Sequence, residues 1–348
     1  MKIVFCGGHH NSALLVAKEL QKKSNRIFWL GHKYTMAGDK NPGAEYVEVT
    51  ASGIPFIEIQ AGKWQPYFKF WRNLARIPVG FIQSLFWLIK IRPKLIVSFG
   101  GFLALPVAFC GWLLGITVVT HEQTVYCGIA NKIISLFAKK IFVSFESSLK
   151  QFPPRKVVFT GLPVRSLISD KSKKLFDNDK ETIYITGGKQ GAHVINTEIF
   201  EILPKLTEKF NVIHQCGSTS IYNDIKKAEQ IKSSLGKRGD SYKISEYFFD
   251  SEIGDIYFSA DFVICRAGAH TIYELLMLNK PAILIPISWS NNNEQEKNAG
   301  MMENLGLVKI FFQKDLGKNR LFTAILEFDR NLNKYRMNSV DSVKTDAT

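Results

Sequence analysis

Three glycine-bearing segments sit where apolar runs end, the place where a bare backbone can approach a ligand that a side chain would hold off. The first, Gly7-Gly8-His9-His10-Asn11-Ser12, follows Ile3–Cys6 and precedes the helical Ala13–Lys22. The free N–H groups of a helix start present themselves to an anion there. The second, Gly187-Gly188-Lys189-Gln190-Gly191-Ala192, follows Thr182–Thr186, with Asn196 on the next helical turns. Its glycines and Lys189 form a cradle for a diphosphate, and the ammonium offsets charge on a departing group. The third runs Arg266-Ala267-Gly268-Ala269-His270-Thr271, with Glu274 one turn on. A carboxylate there is suited to accept both hydroxyls of a ribose. Plainer readings stand beside these: glycines that only turn the chain, and a glutamate that complements a helix dipole. The spacings fit neither GxGxxG nor GxxxxGK[ST], which counts against NAD and ATP.

The elements that must hold these loops are short β-branched or aromatic runs with helical stretches between them. In the first half they are Ile3–Cys6, Arg26–Leu30, Leu95–Phe99, Thr117–His121, Lys140–Phe145 and Lys156–Thr160. The pattern restarts with Thr182–Thr186, Asn211–Gln215, Tyr242–Ile244, Phe262–Cys265 and Ala282–Pro286. Strands alternating with helices predict an α/β chain built from parallel sheets. Pro153, Pro154, Gly161 and Pro163 cluster near the join, which predicts an N-terminal domain over 1–163 and a C-terminal domain over 164–328. Residues 329–348 turn polar and are expected to form a terminal helix that frays into a tail.

The 348 residues suffice for two cores, and a formal charge of +14 draws the surface toward phosphates, nucleic acid or anionic lipid. Cys6, Cys110, Cys127, Cys216 and Cys265 are scattered and never spaced CxxC, so neither a disulfide framework nor a zinc site is indicated. A reducing cytosol is expected. Val79 to Ile91 and Leu103 to Val119 are apolar but fall short of the roughly 20 uninterrupted residues of a membrane span. Both are expected to be a buried helix followed by a strand. Between Trp64 and Lys94 aromatic residues (Trp64, Tyr67, Phe68, Phe70, Trp71, Phe81, Phe86, Trp87) interleave with Lys63, Lys69, Arg72, Arg76, Lys90, Arg92 and Lys94. That mixture suits the headgroup region of an anionic bilayer. It also suits single-stranded nucleic acid or a core helix with a solvated basic face.

The ordered set of blocks resembles the MurG family of glycosyltransferases. The blocks are Gly7-Gly8-His9, Phe99-Gly100-Gly101-Phe102 with Pro106, His121-Glu122-Gln123, and Gly128 with Asn131-Lys132. They continue through Gly161–Arg165, Gly187–Ala192 with Asn196, His214-Gln215 with Gly217, Arg266–Glu274, and Gln295 with Asn298-Ala299. The resemblance implies a GT-B architecture, two Rossmann-like domains facing across a cleft. It also implies inverting transfer of N-acetylglucosamine from UDP-N-acetylglucosamine to a polyprenyl-pyrophosphate-linked muramoyl-pentapeptide in peptidoglycan synthesis.

Carried onto this sequence, it places Tyr247 and Phe248 near the uracil, Glu274 on the ribose, and Gly188, Lys189, Gln190 and Gly191 on the diphosphate, with Ala269 in the same binding block. Gln295 and Asn298 would face the sugar, with Arg165 reaching in from the domain junction. On the acceptor side it implies Gly7, Gly8, Gly100 and Gly101 at the lipid pyrophosphate, with His121, Glu122 and Asn131 positioning the acceptor. His9 is the candidate general base, since an inverting transfer removes a proton from the attacking hydroxyl. Its plainer role is a helix-start residue that hydrogen-bonds the loop. No cofactor and no catalytic metal are expected, because Arg165, Lys189 and helix N-termini can carry the leaving charge. A polyprenyl acceptor favours the bilayer over nucleic acid, hence a place on the cytoplasmic face of the cell membrane.

The sequence departs from the family's pattern in four places. The first loop is two residues shorter than the usual GGTGGH, Thr124 follows Gln123 in place of Asn, Lys189 stands for Ser, and Glu294 for Gln. Alternatives of other classes are a GT-B relative with another lipid or glycan acceptor, a UDP-sugar epimerase, and a non-catalytic membrane-recruiting subunit.

Overall fold

The computed structural model describes residues 1–34, 42–60, 70–164, 172–219, 221–289, 293–317, 319–336 and 347. Two compact units divide the chain, Met1–Val164 and Arg165–Val343. In the first, seven parallel strands form one sheet: β1 (Lys2–Cys6), β2 (Arg26–Gly31), β3 (Phe56–Glu58), β4 (Leu95–Ser98), β5 (Thr117–Glu122), β6 (Lys140–Val143) and β7 (Val157–Phe159). Their order is β3-β2-β1-β4-β5-β6-β7. In the second unit six parallel strands, β8 (Thr182–Thr186), β9 (Asn211–Gln215), β10 (Tyr242–Ser245), β11 (Phe262–Cys265), β12 (Ala282–Leu284) and β13 (Val308–Ile310), take the order β10-β9-β8-β11-β12-β13.

Strands buried on both faces need continuous apolar runs, and the sequence supplies them: Ile3, Val4, Phe5 and Cys6 are all fully buried, as are Phe262 to Cys265. Helices cover the faces, among them α1 (His10–Lys22), α2 (Ala44–Ala51), α3 (Phe70–Ile91), α4 (Ala104–Leu113) and α5 (Ile129–Phe137) on the first sheet. The second carries α6 (His193–Lys209), α7 (Asp224–Ser234), α8 (Asp250–Ser259), α9 (Ala269–Met277), α10 (Glu294–Asn304), α11 (Arg320–Arg330) and α12 (Leu332–Arg336). All five cysteines are buried thiols.

Each sheet reverses its strand order once, between β1 and β4 in the first and between β8 and β11 in the second. Connections leave the carboxyl edge in opposite directions there and open a crevice beyond the strand ends. Register puts Cys6 beside Ser98 and Thr186 beside Cys265. The glycine segments that follow those residues therefore flank the two reversal points.

Helix α3 is longer than Val79 to Ile91 and is not the buried helix expected there. Leu88 and Ile91 enter the core, whereas Ile82, Phe86 and Ile89 remain exposed. The helix carries more apolar side chains than its buried face takes up. Helix α4 is buried along Ala104, Val107, Ala108 and Cys110, but Trp112 and Leu113 at its end are exposed.

Candidate active site

In the first unit the turn after β1 is threaded against the turn after β4. The Phe99 amide donates to Cys6 O at 2.8 Å and Gly8 N to Gly100 O at 3.0 Å. Gly7 has φ +138°, and a Cβ there would lie 2.8 Å from the Phe99 backbone. Gly100, at φ +67°, leaves room only for Asn131, whose amide nitrogen a Cβ would approach to 2.7 Å. The structure thus brings Gly7, Gly8, His9, Gly100, Gly101 and Asn131 together.

Beside them the end of β5 is locked. The Glu122 carboxylate accepts from Thr124 N (3.0 Å), Gly128 N (3.0 Å) and Asn131 Nδ2 (3.0 Å), and from the Thr124 hydroxyl at 2.7 Å. Asn131 Oδ1 in turn accepts from Thr120 Oγ1 at 2.7 Å. Glu122 and Asn131 are 2% and 4% exposed, so their polar atoms are taken up inside the protein and hold the 123–128 loop and the start of α5. A carboxylate this enclosed requires such pairing. Thr124 supplies two of these bonds.

His121 is buried, with Nε2 3.1 Å from Gly161 O and 3.4 Å from Ser144 Oγ, and its ring stands 5.1 Å from that of Phe99. Burial pushes its pKa down to about 4, against the Gly161 carbonyl and Glu122, which favour the charged form. His9, half-buried, is held lower than an ordinary histidine by desolvation, with Glu122 opposing and His10 assisting. Both rings are neutral near pH 7, the state a general base requires. His9 Nδ1 lies 2.8 Å from Gln123 Nε2.

In the second unit the loop after β8 carries two left-handed glycines, Gly188 (φ +85°) and Gly191 (φ +81°). Gly191 faces the backbone of Cys216 so closely that a Cβ would sit 2.1 Å from its carbonyl oxygen. Gln215 braces the loop: its Nε2 donates to Gly188 O at 3.1 Å and to Thr186 Oγ1 at 3.1 Å, and its Oε1 accepts from Phe248 N at 3.1 Å. Lys189 Nζ lies 5.5 Å from the centre of the Tyr247 ring, which places the cation of the loop after β8 beside an aromatic just beyond the end of β10. The Phe248 ring is 1% exposed and packs in the core against Tyr184, so the ring expected near the uracil belongs to the core.

Glu274, on α9, accepts from the buried Tyr257 hydroxyl at 2.9 Å. Asn298 is fully buried and ties α10 to Ala267 O at 3.0 Å, while Gln295 Oε1 accepts from Ile287 N at 3.1 Å. These tethers gather Gln295, Asn298, Ala269 and Glu274 around the carboxyl ends of β11 and β12. Arg165 lies outside the described residues.

The sequence did not nominate Tyr257, Gln215 as a brace, or Gln123 as a partner of His9. His214-Gln215 and Gln123 stood within recognised blocks. Tyr257 carries no motif and meets a carboxylate 17 residues further on.

Two parallel-sheet Rossmann-like units with glycine turns at their reversal points make up a GT-B architecture. The N-terminal domain of glycosyltransferase family 28 matches residues 6–143 and its C-terminal domain residues 182–347. A "UDP-N-acetylglucosamine--N-acetylmuramyl-(pentapeptide) pyrophosphoryl-undecaprenol N-acetylglucosamine transferase 2" of Bacillus cereus is 33% identical over 362 residues, covering 99% of this chain and 97% of the relative. A transferase of the same name without the numeral, from Clostridium perfringens, is 33% identical over 99% of this chain and 94% of its own length. The chain belongs to glycosyltransferase family 28. Its fold matches that of Acinetobacter baumannii MurG with a TM-score of 0.71 at 24% identity, covering 99% of this chain and 96% of that one. It also matches a Neisseria meningitidis UDP-GlcNAc 2-epimerase with a TM-score of 0.59 at 13% identity, over 100% and 97%.

Proposed function

We propose that the chain transfers N-acetylglucosamine from UDP-N-acetylglucosamine to undecaprenyl-pyrophosphoryl-N-acetylmuramoyl-pentapeptide, with inversion at the anomeric carbon and without a metal. The observation that carries this is identity of 33% with transferases named for that reaction along 99% of the chain. The epimerase likeness is one of fold, at 13% identity.

The acceptor's pyrophosphate binds the turns Gly7–Gly8 and Gly100–Gly101, and its hydroxyl gives up a proton to neutral His9. That oxygen attacks the anomeric carbon as the bond to the β-phosphate oxygen breaks, and UDP leaves with the electron pair. Its charge falls on the Gly188–Gly191 loop, the start of α6, Lys189 and Arg165. Glu274 holds the ribose, Tyr247 the uracil and Gln295 the sugar, while the buried Asn298 braces α10 behind it. His121, Glu122 and Asn131 fix the acceptor loop.

The same reading puts the first unit on the cytoplasmic face of a membrane. No helix among the described residues is long and apolar enough to cross one, but α3, α4 and α5 pack side by side. They expose Ile82, Phe86, Ile89, Trp112, Leu113, Ile129, Ile133 and Leu136. An apolar patch of that extent marks an interaction surface. Lys90 lies over Trp87 at 4.8 Å within it, the pairing of ring and cation that suits a bilayer interface. Trp64, Tyr67, Phe68, Lys63 and Lys69 lie outside the described residues, as do the side chains of Phe70, Trp71, Arg72 and Arg76.

The test is transfer of labelled N-acetylglucosamine to a short-chain lipid-linked muramoyl-pentapeptide, with and without EDTA. Chelator-insensitive product with a β linkage is expected. Donor hydrolysis or epimerisation without product overturns the reading.

A further inference from the structure

We propose that Gln123 is the positioning residue of the reaction: its side-chain oxygen holds the proton of His9 on Nδ1 and so leaves Nε2 as the basic nitrogen. The inference rests on His9 being the base. A neutral imidazole has one N–H and one lone pair, and the partner of the first nitrogen decides which the second presents. His9 Nδ1 has a partner at 2.8 Å, the Gln123 amide. The amide comes from a fixed point, because Gln123 directly follows His121 and Glu122, both pinned by the bonds described above, and is itself 3% exposed.

An amide offers a donor at one end and an acceptor at the other, of nearly equal size, so a half-turn about Cγ–Cδ exchanges them without a steric cost. With Nε2 toward the ring, His9 would carry its proton on Nε2 and serve only as a donor through that nitrogen. That orientation leaves the buried Gln123 Oε1 with no partner among the described residues, and the exchanged one puts the amide N–H groups in the same enclosed place. What decides between them is the lone pair that a base must present on Nε2. With Oε1 toward the ring, Nδ1–H is satisfied and Nε2 keeps its lone pair. The arrangement follows the general logic of a base oriented by a third group, here neutral rather than anionic. The other titratable groups facing His9 are His10, Glu122 and His121. Glu122 is saturated by its own bonds, which leaves Gln123 to set the tautomer.

The experiment is nitrogen NMR of the full chain labelled at histidine, with the His9 signals assigned by their loss in His9→Gln. It is run beside transfer kinetics of Gln123→Leu, Gln123→Glu and His9→Ala. The expected tautomer carries the proton on Nδ1. Gln123→Leu should lower kcat about ten- to a hundredfold, within what a general base contributes, while KM for UDP-N-acetylglucosamine stays unchanged. Gln123→Glu should keep turnover and move the acidic limb of the kcat profile upward by about one pH unit, because an anion beside Nδ1 favours the protonated ring. A wild-type proton on Nε2, or a Gln123→Leu enzyme with normal kcat and pH profile, overturns the proposal. Undiminished turnover in His9→Ala removes the base reading itself, whatever tautomer the spectrum shows.

Discussion

The two reversal points use one backbone device for different ends. After β1 the glycines are consumed in making the site: Gly8 donates to Gly100, and Gly7 lies against Phe99. What that turn presents is a neutral histidine. After β8 Gly191 is likewise packed, against Cys216, but a Cβ on Gly188 would meet nothing within 4 Å, and beside this loop stand a lysine and a tyrosine. On the proposed function the first loop takes the acceptor's pyrophosphate and its proton, and the second holds the nucleotide.

His9→Ala should break the first half of this contrast, lowering kcat by about a hundredfold to ten-thousandfold while the dissociation constant for UDP, measured by calorimetry, stays put. A parallel loss of UDP affinity would show that the two loops are not separable in role. Gly191→Ala should do the reverse, since its Cβ meets Cys216 O at 2.1 Å in a left-handed backbone. It should destabilise by roughly 2–5 kcal/mol and abolish UDP binding, whereas Gly188→Ala bears only the backbone cost of about 1–2 kcal/mol. Equal melting temperatures for the two variants would contradict the geometry.

A third test uses acid. His121 and His214 are both buried with pKa lowered from 6.5 to about 4, first by desolvation. The unfolded chain therefore binds protons between pH 6.5 and about 4 that the folded chain refuses. Stability is full above pH 6.5 and falls as pH drops, by at most about 1.4 kcal/mol per pH unit for each histidine. Urea midpoints across that range should slope downward toward acid, and His121→Asn should flatten the slope; an unchanged slope would mean that the ring titrates normally. The smallest effect is expected from Tyr257→Phe, which keeps the ring and removes the 2.9 Å bond to Glu274. Donor KM should rise about fivefold, the worth of one hydrogen bond, with kcat nearly unchanged. A fall in kcat alone would move Tyr257 out of nucleotide binding.

Much of this architecture was legible before any coordinates. Thr182–Thr186, Asn211–Gln215 and Phe262–Cys265 are strands with the limits their apolar runs indicate, because strands covered on both faces cannot alternate with polar residues. Phe56–Glu58 and Val308–Ile310 escaped notice, since three residues at a sheet edge are too few to show a period. The glycine turns announced themselves by composition. The satisfaction of Glu122 did not, because its partners Thr124, Gly128 and Asn131 meet only once the loop has closed. Phe248 shows the converse limit, for an aromatic beside a binding loop reads alike whether its ring meets a ligand or the core.

The buried thiols described with the fold make the molecule its own reporter of opening. Cys6, Cys110 and Cys127 lie in the first unit and Cys216 and Cys265 in the second. Burial raises every one of these thiols above the usual range, Cys216 to about 12. Since only a thiolate attacks an alkylating reagent, labelling must wait for each unit to unfold around its own cysteines. Mass spectrometry of timed alkylation thus reads two opening clocks in one chain, and a saturating dose of UDP should slow the second while leaving the first running.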